Sequence, residues 1–423
     1  MTADYRKYVS HEGANEGRVI LHSDLNNFFA SVECRRRPYL EGFPVAVCGS
    51  VKDRHGIVLA KNEMAKKSGI KTGQAIWQAK KLCPGLVVVQ PDHNEYMYYS
   101  GLVRGIYAEY SDKVEPFGMD EAWIDLSADM KVNSLDDGKR IADEIRLRVR
   151  RETGLTVSVG VSDNKVFAKL ASDFKKPDAV TVFGPDNYES TVAKIEVGEL
   201  LFVGKNTNTR LHICGINTIG ELAGSSEIFM KSMFGVNGLR MFGDASGFDT
   251  SGVSGYGEVG ETKSVGNSVT LSHDLRSFDE VRAVFHSLSE KVAWRMRSGG
   301  FACTTVQISV RDTGLSTTER QCGTSPTSNA LDIAELALRL FRENYDTSVS
   351  VRSIGVRGTN LVKANALQQI DMFDTTYEKK ERLSRLDGTL DSLRSRYGID
   401  TVKRAVCCVG RNNFRDGARL EII

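Results

Sequence analysis

The order in which strand-like and helix-like patterns follow one another constrains this chain more than anything else in it. Residues 18–24, RVILHSD, form an apolar run ending in a carboxylate and predict a buried strand. NNFFASVECRRR then opens a helix. After a long Gly/Pro-punctuated, lysine-rich stretch reaching about Pro91, residues 94–111 carry Tyr and aliphatic residues at helical spacing. KVEPFGMDEAWIDLS reads as strand, turn, strand. SLDDGKRIADEIRLRVRRETG begins with an S-x-x-D capping signal at Ser134 and places Ile141, Ile145 and Val149 on one face. LTVSVGVS alternates as a strand, and Ser162 or Asp163 is expected to cap the helix NKVFAKLASDF, which stops before Pro177. Strand, helix, two strands, helix, strand is the order of a ferredoxin-like sheet with an insertion after its first strand.

That order gives meaning to FGMDEAWIDLS, where Asp120 and Glu121 stand side by side in an apolar stretch. Successive strand residues point to opposite faces, so a plain strand cannot aim both at one ligand. At a tight turn both can face one cation, and Asp24, ending a central strand, can lie beside them. Hard oxygen donors converging from strand ends suit Mg²⁺. Two such ions about 4 Å apart activate a hydroxyl and steady a leaving pyrophosphate. A surface turn with unrelated acids is the plain alternative for these residues taken alone.

The rest of the chain divides differently. Residues 194–247 have glycine turns between short helical stretches. GFDTSGVSGYGEVGE has a linker's composition. Residues 262–362 read as a second α+β unit: the strand VTLSHDL, a helix, the strand CTTVQISVRD, a helix, and the strand VRSIGVRGTNLV. Residues 374–423 are charged and only partly helical in pattern. The 423 residues carry a net charge of +2, so any nucleic-acid surface must be local rather than global. Eight cysteines without metal-ligand spacing, no apolar run near the ~18 residues of a membrane span, and a polar N-terminus of about 16 residues without a signal-peptide core predict a cytoplasmic protein with a loose N-terminal tail and no membrane partner.

HSDLNNFFASVE, GFPVAVCG, GIKTGQAIWQAKKLCP, FGMDEAWIDLS and SVGVSDNKVFAKLASDFKKP, in this order and spacing, resemble the Y-family translesion DNA polymerases of the bacterial DinB/UmuC-like (ImpB/MucB/SamB) group. The resemblance implies an α+β, right-hand polymerase. Its expected parts are an N-terminal tail (1–17), a ferredoxin-like palm (18–27 and 92–185), small fingers (28–91), a helix-hairpin-helix thumb (186–255), a linker (256–261), an α+β little finger (262–365) and a C-terminal tail (366–423). By resemblance, Asp24, Asp120 and Glu121 and the Leu25 carbonyl bind two Mg²⁺ ions, with Mn²⁺ as a possible substitute. Phe29 matches the family's steric gate against ribose, while Phe28 is expected to pack in the core. Backbone N–H groups from Asn27 to Phe29, at a helix start, are expected to hold triphosphate oxygens. Lys176 matches the family's triphosphate-contacting lysine; without the family, Lys175 and Lys176 are only a solvated pair.

Two positions depart from the family pattern. Glu63 and Lys66 stand where many relatives have a Tyr and an Arg that grip the triphosphate. Lys66 can serve as a point charge without bidentate geometry, whereas Glu63 repels phosphate. Asn26, where some relatives have a second Asp, is not counted as a ligand. VGKNTNTRLHICGI resembles a helix-hairpin-helix whose Gly204 and Lys205 face a DNA phosphate. An ordinary helical hairpin is the alternative. Arg295, Arg297, Arg311, Arg352 and Arg357 are further candidates for the DNA backbone. QIDMF at 369–373 resembles a sliding-clamp peptide, with Gln369 at a polar edge and Ile370, Met372 and Phe373 as an apolar plug. The expected reading is an error-prone translesion DNA polymerase, monomeric, that uses primer-template DNA and deoxynucleoside triphosphates and docks on the clamp. A nucleotide cyclase shares the palm's chemistry but gives no reason for the later units and lacks its Gly-Gly-acid-acid-Phe turn. A non-catalytic DNA- or clamp-binding protein on the same fold is the other rival.

Overall fold

The computed structural model describes residue 15 and residues 17–50, 56–258, 260–346, 348–364, 377–398 and 401–408. The N-terminal tail, apart from Asn15 and Gly17, and the QIDMF segment lie outside these residues. The chain forms two compact units, the first reaching Gly49 and resuming at Ile57–Val259, the second containing Gly260–Ile423.

The first unit runs β1 (Ile20–Leu25), α1 (Phe28–Arg36), β2 (Val45–Cys48), β3 (Val58–Lys61), α2 (Glu63–Lys67), α3 (Ile76–Leu82), β4 (Val87–Val89), α4 (His93–Ala108), β5 (Val114–Pro116), β6 (Glu121–Asp125), α5 (Leu135–Thr153), β7 (Val157–Ser162), α6 (Lys165–Phe174) and β8 (Val180–Val182). After a single turn of helix at Pro185–Tyr188 come α7 (Lys205–Ile213), α8 (Ile219–Ala223), α9 (Glu227–Phe234) and α10 (Val236–Ala245). The second unit holds β9 (Ser264–Leu275), α11 (Phe278–Ser298), β10 (Phe301–Asp312), β11 (Thr317–Thr327), α12 (Ala330–Asn344), β12 (Val351–Lys363) and α13 (Tyr377–Tyr397).

The main sheet has the order β5-β6-β1-β7-β8, which is the expected ferredoxin-like arrangement with β8 added parallel to β7. All six residues of β1 are buried, because helices cover both faces of the sheet. One face meets α5, where a Cβ on Gly138 would strike Val19 and Val161. The other meets α6 even more closely: a Cβ on Gly160 would run into the Ala168 carbonyl. That close approach presses α6 against the strands carrying the acids. The start of α5 follows its sequence signal, with Ser134 accepting from the Asp137 N–H, and Gly154 at φ 72° ends it. The cap of α6 is a correction. Ser162 and Asp163 bond to each other, and Asn164, in extended conformation, accepts from the Phe167 N–H.

Three further corrections concern the remaining segments. The lysine-rich stretch contains a small sheet of order β3-β2-β4. The second unit has an extra strand, β11, at the edge of its β11-β10-β12-β9 sheet. The supposed linker is strapped to the first unit as far as Tyr256: Asp249 accepts from the Lys165 N–H, the Asp249 and Ser251 carbonyls accept from Arg18, Ser254 donates to Glu115, Tyr256 donates to Asp112, and Val253 is buried. Among the described residues, no helix is long and apolar enough to cross a membrane.

Candidate active site

Strand pairing assembles the acids. In the β1–β6 ladder Asp24 lies directly opposite Glu121, and His22 opposite Trp123. Residues opposite one another share a face, so both pairs look toward α6. Asp120 precedes β6 after a bend that uses Gly118 at φ 85°, and its carbonyl accepts from the Leu25 N–H at 2.9 Å. Three carboxylates thus meet at the ends of two central strands.

Two lysines enter the cluster from α6 and its C-terminal end. Lys176 Nζ is 2.7 Å from Asp24 and 2.6 Å from Asp173. Lys169 Nζ bridges Asp24 (3.4 Å), Glu121 (2.9 Å) and Asp173 (3.2 Å). Burial works against the Lys169 ammonium, but Asp173, Asp24 and Glu121 together hold its pKa above the ordinary lysine value. The acids are under the opposite pressure. Burial, then the charges of Asp24 and Glu121, push Asp120 up to about 6. Burial also raises Asp24, and Lys176 only partly offsets it.

Among the described residues, no three His, Cys, Asp or Glu side chains are already gathered into a cation cage. The donor chemistry nonetheless suits a hard cation. Asp24 is buried, Asp120 and Glu121 are half-buried, and the three carboxylates repel one another. Asn26 stands apart from this set: it donates to Thr156 Oγ1 and accepts from Ser158 Oγ.

The start of α1 borders the acids. Asn27 adopts φ 52°, ψ 35°, and the helix has neither a side-chain cap nor an acid in its first turn. Its first N–H groups therefore lack intrahelical partners, and the positive end of the helix dipole is uncompensated by the helix itself. Phe28 is buried at 3% exposure within the core. Phe29 is half-buried and lies flat on Tyr96, with ring centroids 4.1 Å apart and an interplanar angle of 11°. Tyr96 is itself fixed, because its hydroxyl donates at 2.6 Å to buried Glu33, which also takes Arg37 at 2.6 Å. Glu63 Oε1 accepts from the Asn27 amide at 2.9 Å and lies 3.7 Å from Lys66 Nζ.

The other candidate residues are dispersed. Gly204 and Lys205 are exposed at the start of α7, which has no side-chain cap and no acid in its first turn. Arg295 donates to the Gly266 carbonyl, and Arg311 to Thr317. On β12, Ile354 and Val356 are buried while Arg357 is exposed; Arg352 sits at a register shift beside Val351. Arg297 is engaged elsewhere in its own unit, by Asp391 at 2.6 Å, Asp387 at 3.2 Å and the Ser328 carbonyl at 2.6 Å. A guanidinium so occupied keeps a single N–H, on Nη2, for any other partner. The acids holding it come from α13, in a tail whose sequence pattern is only partly helical.

Sequence reasoning did not single out Lys169, His22 or Tyr96. The i,i+4 spacing of Lys169 and Asp173 on α6, and a histidine two residues before Asp24, were the available signals.

The likeness to solved structures agrees with this architecture. A Y-family DNA polymerase chimera superposes with a TM-score of 0.72 at 22% identity, covering 82% of this chain and 99% of its own. The fold is that of a Y-family polymerase. Among curated proteins, the DNA polymerase IV of Acetivibrio thermocellus is 46% identical over 390 residues, 92% of this chain and 97% of that one. That of Moorella thermoacetica is 37% identical over 404 residues (94% and 98%), and DNA polymerase IV 1 of Bacillus subtilis 36% over 391 (92% and 93%). The impB/mucB/samB family model matches residues 23–173 and the family's C-terminal domain matches 262–372. The chain belongs to the impB/mucB/samB family.

Proposed function

We propose that this protein is a template-directed DNA polymerase of the translesion type, joining deoxynucleoside triphosphates to a primer 3′-hydroxyl and so contributing to damage tolerance. The observation that carries the reading is the placement of Asp24, Asp120 and Glu121 together at the ends of β1 and β6, beside the uncapped start of α1. Asp24, Asp120, Glu121 and the Leu25 carbonyl would hold two Mg²⁺ ions, or Mn²⁺ in their place. Bound there, the ions would favour the ionised 3′-hydroxyl and neutralise charge growing on the transferring phosphoryl group.

The chain's own groups do the rest. Free N–H groups at Asn27–Phe29 hold triphosphate oxygens, with Lys176 as the nearby cation and Lys66 as a looser one. Both lysines must leave carboxylate partners to do so. The Phe29 ring, backed by Tyr96, lies under the sugar and excludes a 2′-hydroxyl. Small fingers and a thumb of short helices check the new pair loosely, so the enzyme is error-prone. Gly204, Lys205, Arg352 and Arg357 remain its candidate DNA-backbone contacts. The enzyme works as a cytoplasmic monomer, and Gln369, Ile370, Met372 and Phe373 dock it on the sliding clamp.

Primer extension with Mg²⁺ tests the reading. The parent extends a primer, whereas Asp120→Ala and Glu121→Ala do not, though both still bind primer-template DNA by fluorescence anisotropy. Parent-like extension by the double alanine variant would overturn the site. For the clamp, replacing Gln369, Met372 and Phe373 by Ala should leave synthesis without clamp unchanged and remove the clamp's stimulation.

A further inference from the structure

His22 is fully buried in the middle of β1, two residues before Asp24 and on the same face. Its ring closes a circuit. Nδ1 lies 2.8 Å from Ser172 Oγ, which lies 2.8 Å from the Lys169 carbonyl. Lys169 Nζ is 2.9 Å from Glu121 Oε2, and that oxygen is 3.3 Å from His22 Nε2. The last two atoms, His22 Nε2 and Glu121 Oε2, are both buried without an aligned hydrogen-bond partner. The edge-on contact with Trp123, at 5.2 Å and 65°, limits how far the ring can turn.

We infer that His22 is a positioning residue for Glu121: its Nε2–H fixes Oε2, leaving the other carboxylate oxygen to face a cation. The inference rests on the metal-binding role proposed for Glu121. The Ser172 hydroxyl has one proton to give. If that proton goes to the Lys169 carbonyl, Nδ1 must carry the ring proton, and Nε2 turns a lone pair on the carboxylate. If it goes to Nδ1, the ring proton sits on Nε2 and points at Oε2, at the cost of the hydrogen bond from Ser172 to the Lys169 carbonyl. The second arrangement exchanges that neutral hydrogen bond for a charge-assisted one to Glu121 and removes the lone-pair repulsion at Oε2, so it is favoured. A small rotation of the Glu121 carboxylate would close the present 3.3 Å approach. A group bonded behind a ligating carboxylate restricts its orientations, and loss of such a partner typically weakens metal affinity about 10- to 100-fold.

The test is Mn²⁺ binding to the DNA-free protein, followed by electron paramagnetic resonance of the free ion, beside steady-state kinetics and melting curves. His22→Phe keeps the ring and removes both nitrogens. It should weaken Mn²⁺ binding about tenfold or more, and lower kcat while KM for the nucleotide holds. His22→Gln, whose amide N–H can reach Glu121, should recover most of that loss. Ser172→Ala, which frees the ring proton to choose either nitrogen, should fall between parent and His22→Phe.

Parent-like Mn²⁺ affinity in folded His22→Phe would overturn the inference. So would His22→Gln as weak as a folded His22→Phe, which would mark a packing role. If His22→Phe does not fold, Ser172→Ala decides: weakened binding supports the inference and parent-like binding overturns it. A parent that binds no Mn²⁺ would instead remove the metal-site reading beneath it.

Discussion

Asp120 should make the metal-free protein less stable than it need be. Its carboxyl is pushed from 3.8 to about 6, by burial first and then by Asp24 and Glu121. Between those two values the folded chain holds more protons than the unfolded one, so stability falls as pH rises through the window and the full penalty stands above it. At 1.36 kcal/mol per pH unit that rise corresponds to about 3 kcal/mol. Asp120 keeps some solvent contact and shares its repulsion with two other acids, so about 1–3 kcal/mol is the range to expect. Asp120→Asn removes the charge and nearly preserves the shape. In EDTA at pH 8 it should raise the melting temperature of the first unit by about 2–12 °C, on a scale of about 2–4 °C per kcal/mol. The gap should shrink steeply by about pH 4 and vanish below it, where the parent's carboxyl is protonated in both states. Adding Mg²⁺ should stabilise the parent but not the variant, narrowing the gap from the other side. Circular-dichroism melts at pH 4, 6 and 8, with and without Mg²⁺, supply the measurement. An Asn variant no more stable than the parent at pH 8 in EDTA, or a gap that ignores pH, would refute the claim that these acids repel one another in the folded state.

The remaining predictions concern selection and DNA binding. Phe29→Ala should raise ribonucleotide insertion relative to deoxyribonucleotide at least about tenfold, through a lost contact worth on the order of 1–3 kcal/mol. Phe28→Ala should mainly lower stability, by about 3–5 kcal/mol for a truncated core aromatic; single-nucleotide insertion and melting curves separate the two. Glu63→Gln keeps an acceptor for Asn27 and removes a charge beside the expected triphosphate, so KM for the nucleotide should fall about 3- to 10-fold, about 1 kcal/mol of repulsion, with kcat unchanged. Arg357→Ala should weaken DNA binding and reduce its salt slope by about 1. Arg297→Ala should instead leave the salt slope alone and lower stability, because it removes the cation paired with Asp391 and with buried Asp387.

What could be read from the sequence follows from how locally each feature is encoded. β1 was legible because a strand covered on both faces needs an unbroken apolar run. Asp24, Asp120 and Glu121 were legible because charges in such surroundings are costly and rare. The small β3-β2-β4 sheet was not: its strands are only three or four residues long, and β3 and β4 are half-exposed, too little for a period-2 pattern to stand out. β11 was missed for a related reason. Its sequence, TTERQCGTSPT, is an edge strand with mostly solvated positions and a Pro near its end, which an edge tolerates and a central strand does not. GFDTSGVSGYGEVGE has a linker's composition, yet its backbone and the Asp249 side chain find Arg18, Glu115, Asp112 and Lys165 as partners. Composition records how freely a segment can bend; it does not record what lies beneath it.

The same distinction separates the acids of the site from the groups that control them. A carboxylate in an apolar strand is conspicuous in one dimension. Lys169, on an ordinary amphipathic helix, is not; it matters because Gly160 lets α6 lie so close that its ammonium reaches both strand ends. Tyr96 looks like one more apolar helical position, and becomes the backing of Phe29 only because Glu33, fully buried on α1, takes its hydroxyl. Glu33 is tolerable there because Arg37, one turn along, pairs with it. For Lys169 and Tyr96 the decisive contact joins elements far apart in sequence, and each side chain alone has a commonplace role available to it. Mutations at Lys169, Glu33 or Arg37 should therefore act on the site through position, changing where Asp24, Glu121 and Phe29 point, while the groups proposed to touch metal, nucleotide and sugar stay chemically intact.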